Sequence, residues 1–269
     1  MILVEARNIS LDVPDMNHQV LIGKRRRLRI LNDVSLRIGK GEAVGIAGES
    51  GSGKTSLGRT LIRLYEPAAG QLQFAGEDIT HMPQRALKPL RRRMQMIFQD
   101  PQSSLNPRLT IGRIIGGVLR LHGLDAGEKV LRGLLDRVGL PAGTLARYPH
   151  QLSGGQRQRV GIARAIALRP EFVVADEIVS GLDVSTQAQV IDLLMSLRHE
   201  MGLALAFISH DLSVIRHLCD RIVIMRAGEI VEEGPTAEIF RHPASDFTRS
   251  LIAAIPLPDP DPDWLSASP

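Results

Sequence analysis

The feature that most constrains the fold is a glycine-rich turn between a short apolar run and a helix-forming segment. Residues 42–47 are apolar enough for a buried parallel strand, and residues 55–64 carry leucines at helical spacing. The turn reads Gly48-Glu49-Ser50-Gly51-Ser52-Gly53-Lys54-Thr55 and is followed by Ser56. This pattern is typical of a phosphate-binding loop, because glycines let backbone N–H groups converge on phosphate oxygens and the helix N-terminus adds its dipole. It predicts a nucleotide-binding α/β core, with Lys54 on the β- and γ-phosphates and Thr55 on Mg²⁺.

A second apolar run, residues 172–175, ends in two adjacent carboxylates, Asp176 and Glu177. The carboxyl ends of strands form the edge at which open α/β sheets bind ligands. Alone, such a pair often only begins a helix. Together with the phosphate loop it predicts that Asp176 orients Mg²⁺ and that Glu177 polarises the attacking water as general base. ATP and Mg²⁺ are the expected cofactors.

A second glycine-rich helix start, Leu152-Ser153-Gly154-Gly155-Gln156, needs its own explanation, because one nucleotide requires only one phosphate cradle. These residues, followed by Arg157-Gln-Arg-Val-Gly-Ile-Ala-Arg-Ala, resemble the signature motif of the ABC ATPase family. The resemblance implies that two such domains associate head to tail. Residues 153–156 of each domain would then close over the γ-phosphate held by the other.

Three further motifs stand in the order that this family shows. Gln99 resembles the glutamine loop that senses Mg²⁺ and water, and His210 resembles the switch histidine that contacts the γ-phosphate. Ser180-Gly181-Leu182-Asp183 resembles the D-loop, which crosses to the partner subunit. The resemblance therefore implies Glu177, His210 and Gln99 as catalytic residues. The nucleotide contacts that it implies are residues 48–56, residues 153–156 and Asp183, and the Mg²⁺ contacts are Thr55, Gln99 and Asp176.

The resemblance covers residues 1 to about 235 and implies an α/β fold of the ABC ATPase type. Such a fold has a RecA-like P-loop core with a mostly parallel sheet, an antiparallel β subdomain and an inserted α-helical subdomain. The residue pattern agrees, since residues 2–13 and 28–38 alternate as strands and residues 101–139 show helical spacing. We expect the core in residues 1–99 and 169–235, the helical subdomain with the signature motif in residues 100–168, and a C-terminal extension in residues 236–269.

A finer resemblance is to the second ATPase of bacterial peptide, dipeptide and nickel importers, and residues 58–67, 91–108 and 242–256 carry it. It implies an ATPase subunit that powers import of peptides or similar small solutes through ATP-driven dimerisation. The implied partners are a second ABC ATPase (a heterodimer is favoured over a homodimer), two transmembrane permease subunits and, indirectly, an extracytoplasmic solute-binding protein. The chain would then be peripheral, at the cytoplasmic face of the inner membrane.

Composition narrows the class of protein further. The 269 residues include a single cysteine, Cys219, which excludes an intrachain disulfide and a cysteine-ligated iron–sulfur cluster. No signal peptide and no apolar run of membrane-spanning length is present, so we expect action at a membrane only through partners. The net charge is +4 and the pI is about 9.6. The basic run at residues 24–29 is explained by a solvated loop; contact with lipid headgroups or nucleic acid is a minor hypothesis, because no aromatic residue interleaves the charges.

Two other functions share the ATPase chemistry. One is a soluble ABC ATPase that serves an enzyme assembly of the carbon–phosphorus lyase type. The other is an ABC protein acting on nucleic acid or ribosomes, which the basic pI alone suggests. A single ATPase domain without a long coiled-coil insertion argues against the second, so no nucleic-acid partner is expected. The importer-like C-terminal extension argues against the first.

The sequence departs from the family pattern at three places. Ile178-Val179 stands where a proline-containing pair is common, and Gly181 stands where alanine is usual; both changes should have small effects. No aromatic residue occurs before Tyr65, although family members stack adenine on one near Val13. Stacking contributes roughly 1–3 kcal/mol, so ATP should bind through its phosphates with weaker selectivity over GTP. His18 is a candidate substitute.

Overall fold

The computed structural model describes residues 1–14 and 27–255, so His18 and residues 24–26 of the basic run lie outside the described residues. The strands are β1 (Ile2–Pro14), β2 (Arg27–Gly39), β3 (Ala43–Gly48), β4 (Ala69–Phe74), β5 (Glu77–Asp78), β6 (Met94–Ile97), β7 (Phe172–Asp176), β8 (Ala204–Ile208), β9 (Arg221–Arg226) and β10 (Glu229–Pro235). The helices are α1 (Lys54–Leu61), α2 (Gln84–Arg93), α3 (Pro101–Ser104), α4 (Ile111–Leu121), α5 (Glu128–Arg137), α6 (Gly154–Ile166), α7 (Val184–Met201), α8 (Leu212–Leu218), α9 (Thr236–Arg241) and α10 (Asp246–Ala253). Two 3₁₀ turns, Ala142–Ala146 and Pro149–Gln151, precede α6.

A six-stranded sheet forms the centre of the molecule, with the strand order β10-β9-β3-β8-β7-β6. All neighbouring pairs are parallel except β9 and β10, which form an antiparallel hairpin. Strands β3, β7 and β8 are buried along their whole length, as expected where both faces of a parallel sheet are covered. Because the strands are parallel, the loops that follow β3, β6, β7 and β8 all emerge at one edge.

The central sheet separates two apolar cores. Along β7, Phe172 and Val174 pack in the core shared with α1 and the antiparallel sheet, whereas Val173 and Ala175 pack in the core shared with the helices. This alternation follows from the period of two along a strand. The antiparallel sheet has the order β2-β1-β4-β5. The predicted α/β class, with a mostly parallel sheet and an additional antiparallel sheet, is therefore confirmed.

Helices α3 to α6 fill residues 101–166, and no strand occurs in this segment. Ile111, Ile115 and Leu119 form the buried stripe of α4, and Leu131 and Leu135 form that of α5. Spacings of three and four residues place these side chains on one face of each helix. The segment enters after β6 and returns to β7, the neighbouring strand in the sheet.

The helix that follows the glycine-rich turn is shorter than predicted. It ends at Leu61 rather than Leu64, because Arg63 adopts a left-handed conformation with φ 55°. The amides of Leu64 and Tyr65 then donate to the carbonyl of Arg59 and close the helix. Within residues 1–14 and 27–255, no helix combines the length and the apolar character needed to cross a membrane.

Candidate functional site

The glycine-rich turn joins β3 to α1 at the loop-bearing edge of the central sheet. Gly48 has φ +146°, and a Cβ atom there would lie 2.1 Å from the carbonyl oxygen of Met225. Gly53, with φ +98°, packs against Leu31 of β2 so closely that a Cβ atom would lie 3.0 Å from its side chain. Only glycine meets both requirements, since it accepts positive φ and lacks a Cβ atom. The turn therefore runs tightly under the N-terminus of α1, where unpaired backbone N–H groups favour an anion.

Lys54 is held over this turn. Its Nζ atom donates to the carbonyl oxygens of Gly48 and Glu49, both at 2.8 Å, and the residue is only 5% exposed. Burial lowers the pKa of Lys54, an effect that the charges of Glu177 and Asp176 oppose. The ammonium group thus lies within the turn in a position to meet phosphate oxygens.

Among the described residues, the buried hydroxyl of Ser52 in this turn has no hydrogen-bond partner. An unpaired buried hydroxyl is unfavourable by about 1–3 kcal/mol, unless a ligand supplies the missing hydrogen bond. A phosphate oxygen would satisfy it. The residues of the turn therefore fit a nucleotide phosphate.

Asp176 lies at the end of β7, directly beside the start of α1. Its Oδ1 atom accepts a hydrogen bond from the hydroxyl of Thr55 at 2.8 Å, and the residue is 1% exposed. Burial raises the pKa of Asp176, while the Thr55 hydroxyl and the Arg59 charge lower it. Among the described residues, no group of three or more histidine, cysteine or acidic side chains could hold a metal ion. Thr55 and Asp176 nevertheless fit Mg²⁺, which takes one or two protein oxygens and completes its shell with phosphate and water.

The three residues predicted to be catalytic meet around the carboxylate of Glu177. The Nε2 atom of Gln99 donates to Oε2 of Glu177 at 2.8 Å, and Nδ1 of His210 lies 3.7 Å from Oε1. Gln99, Glu177 and His210 follow β6, β7 and β8, which are neighbours in the sheet. Parallel pairing in the order β8-β7-β6 therefore brings together side chains that are far apart in the sequence.

Glu177 has a backbone φ of 48°, which is uncommon for a residue other than glycine. Its N–H donates to the carbonyl oxygen of Ile208 at 2.9 Å, so pairing with the neighbouring strand holds the turn in place. Sparsely populated backbone conformations of this kind cluster at functional sites, where surrounding contacts stabilise them. The turn aims the carboxylate along the edge of the sheet towards Gln99.

The signature residues form a second group, at the start of α6. Ser153 caps the helix through a capping box with Gln156, in which each side chain accepts the other residue's backbone N–H, at 3.3 and 3.1 Å. Gly155 packs against Thr186 of α7, since an added Cβ atom would lie 2.4 Å from the Thr186 methyl group. A Cβ atom added at Gly154 would lie 3.6 Å from Cδ2 of Leu182. The signature thus packs on the predicted D-loop and the first turn of α7.

Asp183 caps α7. Its carboxylate accepts hydrogen bonds from the Ser185 hydroxyl (2.6 Å) and from the Thr186 amide (2.9 Å) and hydroxyl (2.7 Å). These bonds, that of Ser185 foremost, lower the pKa of Asp183 to about 2. The D-loop carboxylate is therefore ionised at neutral pH and is oriented by its own helix.

The departures from the family pattern have clear structural positions. Ile178 and Val179 are both buried in the core shared with the helices, so the two aliphatic side chains anchor the turn after Glu177. Gly181 has φ +75°, a conformation that favours glycine over alanine. Val13 pairs with Leu28 across β1 and β2 and is half-buried, so this end of the strands presents an aliphatic surface.

The β9–β10 hairpin supports the glycine-rich turn, a contact that no sequence motif predicts. The N–H of Gly228 donates to the carbonyl oxygen of Ser52 at 3.0 Å, and the carbonyl of Gly228 accepts from the N–H of Asn32 at 2.9 Å. The hairpin thus ties the turn to β2. The signal was Ala227-Gly228 between two strand-like segments, which indicates a tight turn but not what that turn contacts.

Comparisons with known proteins agree with this arrangement. The family model described as ABC transporter matches residues 31–180, more than half of the chain. The chain is 47% identical over 263 residues to the oligopeptide transport ATP-binding protein OppF of Streptococcus mutans, a match that spans 96% of this chain and 83% of that protein. It is 48% identical over 248 residues to OppF of Bacillus subtilis, which spans 90% and 81%.

A solved structure gives the same result for the fold. The ATP-binding cassette MJ0796, described as dimeric in a post-hydrolysis state with ADP and Pi bound, superposes with a TM-score of 0.76 at 30% identity. The match covers 87% of this chain and 99% of that one. Shared sequence, shared fold and a phosphate-binding turn set beside two carboxylates lead to one conclusion. This chain belongs to the ABC transporter family, as one of its ATP-hydrolysing subunits.

Proposed function

We propose that this chain powers the import of peptides or similar small solutes by a bacterial ABC transporter. The observation that carries the proposal is the meeting of Thr55, Asp176 and Glu177 at one edge of the sheet, beside the glycine-rich turn. The names of the relatives point to peptides as the solute. Neither the enzyme-assembly ATPase nor the nucleic-acid-acting protein is favoured by these relatives.

ATP would bind with its phosphates on residues 48–56. Lys54 would neutralise phosphate charge, and the Ser52 hydroxyl would gain the partner that it lacks among the described residues. Thr55 and Asp176 would hold Mg²⁺, with Gln99 close by. When bound, the ion offsets the negative charge that gathers on the phosphate oxygens.

Glu177 would act as the general base towards water. The Gln99 amide holds Oε2 of its carboxylate, so that group is oriented before water arrives. The His210 side chain is 64% exposed and lies at the rim of the site. From there its ring could contact the γ-phosphate and stay close to Glu177. Glu177 would thus activate water, Gln99 would orient Glu177, and His210 would sense the γ-phosphate.

The signature residues would serve the nucleotide of a second ATPase. The start of α6 presents the N-terminus of a 13-residue helix, and contact with the D-loop sets its position. Head-to-tail association of two cassettes would bring residues 153–156 of one over the phosphates of the other. Resemblance to a second importer ATPase favours a heterodimer with a paralogue over a homodimer.

A groove of about 310 Å³ between β6 and the helical segment would receive the permease. Met94, Met96 and Phe98 line one side, and Val118 of α4 and Arg164 of α6 line the other. The guanidinium of Arg164 lies 6.0 Å from the ring centroid of Phe98, the residue directly before Gln99. A permease segment in this groove would therefore feel any movement of Gln99 that follows ATP binding.

The remaining partners follow from this assignment. Two transmembrane permease subunits would hold the ATPase pair at the cytoplasmic face of the inner membrane. An extracytoplasmic solute-binding protein would deliver the peptide to the permease and would never touch this chain.

Replacement of Glu177 by Gln tests the proposed catalytic role. Turnover of ATP should fall by about 10²–10⁴-fold, because a positioned base contributes that much. Equilibrium binding of ATP should be retained, and the ATPase pair should persist with ATP bound in sedimentation velocity. Glu128→Gln, on the exposed first turn of α5, is the matched control and should turn over normally. Normal turnover by Glu177→Gln would exclude Glu177 as the base.

The transport role requires a separate measurement. The chain, its companion ATPase and the two permease subunits are reconstituted in proteoliposomes with the binding protein, and uptake of a labelled peptide is followed. ATP-dependent uptake that stops with Glu177→Gln is the expected result. Active ATPase without peptide uptake, or stable association with soluble enzymes in place of a permease, would exclude the importer and leave the ATPase chemistry intact.

A further inference from the structure

Helix α2 carries an unusual concentration of positive charge outside the nucleotide site. Five of its ten residues are basic and none is acidic. The basic residues are Arg85, Lys88, Arg91, Arg92 and Arg93. Leu87 and Leu90 form its buried side, so the helix is amphipathic and all of its charged side chains are cationic.

Part of this charge is used within the fold. Arg93 pairs with Glu171 at 2.5 Å and lies over the ring of Phe74, 4.8 Å from its centroid. Arg91 donates to the side chain of Gln84 and to the carbonyl of Arg63. These two arginines are therefore structural, and they hold α2 against the sheet.

Arg85 is also exposed but does not line the cleft between α2 and the end of α4, and three further cations have no structural role. Lys88 and Arg92 of α2 and Arg169, which lies between α6 and β7, are exposed. Within residues 1–14 and 27–255, none of the three forms an ion pair. Three cations without acidic partners therefore remain, although unpaired like charges placed close together repel one another.

These three side chains line an open cleft of about 700 Å³ between α2 and the end of α4. Pro89, Leu121 and His122 also line it, as do Arg93 and its ion-pair partner Glu171, and Leu121 is 66% exposed at the rim. Burial, together with the charges of Lys88 and Arg92, lowers the pKa of His122. Four cations against one carboxylate give the lining of the cleft a net positive charge, and an apolar side chain lies at its edge.

The cleft lies beside the groove proposed for the permease. Arg91 and Met94 line that groove, while Arg92 and Arg93 line the cleft, so the two adjoin where α2 meets β6. Helix α4 borders both, through Val118 in the groove and Leu121 in the cleft. A chain docked on a permease would therefore carry the cleft on its membrane-proximal side.

We propose that this cleft binds the anionic phospholipid headgroups of the membrane surface, so that the ATPase contacts the bilayer directly as well as through its permease. Clusters of lysine and arginine on an amphipathic helix bind anionic lipids, and an exposed leucine beside them can enter the boundary between headgroups and acyl chains. Nucleic acid fits less well, because no phenylalanine, tyrosine or tryptophan is among the described residues that line the cleft. The inference uses the proposed function only for the orientation of the chain.

Vesicle binding by the purified full chain tests the proposal. Co-sedimentation is measured with vesicles of phosphatidylcholine alone and of phosphatidylcholine mixed with phosphatidylglycerol. The wild type should bind only the anionic vesicles, and high salt should weaken binding by screening. Each cation near an anionic surface strengthens binding about fivefold, and each introduced glutamate adds repulsion, so the triple variant Lys88→Glu/Arg92→Glu/Arg169→Glu should bind at least about 100-fold more weakly.

A matched variant separates the cleft from net charge alone. Arg108→Glu/Lys129→Glu/Arg241→Glu makes the same charge change at exposed positions outside the cleft and should keep most of the binding. ATP turnover by both triple variants should equal that of the wild type, because none of the six residues lies in the nucleotide site. This also shows that the variants are folded.

Four outcomes would overturn the proposal. The first is equal loss of binding in the two triple variants, which would show dependence on net charge only. The second is loss only in Arg25→Glu/Arg26→Glu/Arg27→Glu, which would assign membrane contact to the basic run. The third is unchanged vesicle binding of the cleft variant with lost binding of an RNA oligonucleotide, which would identify a nucleic-acid surface. The fourth is absence of vesicle binding by the wild type. None of these depends on peptide uptake, so the importer assignment stands or falls separately.

Discussion

Substitution of Gly155 by alanine should destabilise the chain through one atom of Thr186. The added Cβ atom would lie 2.4 Å from Cγ2 of Thr186, whereas ordinary contacts are 3.4–4 Å, so the overlap is at least 1 Å. Thr186 cannot rotate away freely, because its hydroxyl donates to Asp183 at 2.7 Å. Overpacking of this kind costs about 1–3 kcal/mol, and the better helix propensity of alanine returns up to about 1 kcal/mol.

The net loss should therefore be about 1–2 kcal/mol, which corresponds to a Tm lowered by about 2–8 °C for a chain of this size. Thr186→Ser removes the clashing methyl group and keeps the hydroxyl that bonds Asp183. The nearest remaining atoms are Thr186 Cβ at 3.8 Å and Oγ1 at 3.9 Å, both at ordinary contact distance. The double variant Gly155→Ala/Thr186→Ser should thus recover most of the lost stability.

Thermal unfolding of the four proteins of this double-mutant cycle measures the coupling directly. Gly154→Ala is the control at the neighbouring position, because its Cβ atom would lie 3.6 Å from Leu182 and should cause no such loss. The reasoning is refuted if Gly155→Ala is as stable as the wild type. A double variant Gly155→Ala/Thr186→Ser with a lower Tm than Gly155→Ala alone would refute it equally.

Three further predictions concern other parts of the chain. Gly58→Ala should lower the free energy of unfolding by about 1–3 kcal/mol in a denaturant titration. The added Cβ atom would lie 2.7 Å from Ile208 Cδ1 and would push α1 away from the central sheet. A variant as stable as the wild type would contradict this. Cys219 is buried, and burial raises the pKa of its thiol, so it should react with a thiol reagent far more slowly in the native chain than in denaturant. An introduced surface cysteine, Lys129→Cys, should react rapidly in the native chain. Equal native rates at the two sites would show that Cys219 is accessible. The pKa of Asp183 is about 2 in the folded chain against about 3.9 when unfolded, so its ionisation stabilises the fold above pH 4, and this contribution is lost as the pH falls from about 4 to 2. The Tm advantage of the wild type over Asp183→Asn should therefore shrink across that interval, and an advantage independent of pH would contradict the assignment.

Much of the nucleotide site could be predicted from the sequence because its parts are local. A phosphate-binding turn needs glycines, a lysine and a hydroxyl at fixed spacing between a strand and a helix. The nine residues 48–56 provide all of them. Local pattern also predicts a helix that begins near Gln156, whereas α6 begins two residues earlier, at Gly154, with Ser153 as its cap. The spacing predicts that α1 ends at Leu64, three residues beyond its observed end. It ends earlier because Arg63 adopts a left-handed conformation, in which its side chain donates to the carbonyls of Ile79 and Met82.

The contacts between these parts depend on long-range pairing. Thr55 and Asp176 are 121 residues apart, and Gln99 and Glu177 are 78 residues apart. Only the order of strands β3-β8-β7-β6 and their parallel register bring them within hydrogen-bond distance.

Sequence alone thus determined that this chain binds a nucleotide and the family in which those motifs occur in that order, and it predicts which residues contact the phosphates. Tertiary structure decided that Gly155 rests on Thr186, that the β9–β10 hairpin supports Ser52, and that Lys88, Arg92 and Arg169 share one cleft. The physical reason is that motif chemistry is encoded over a few neighbouring residues. Packing contacts join residues that a linear pattern cannot relate, since strand order and register are set by burial of the whole core.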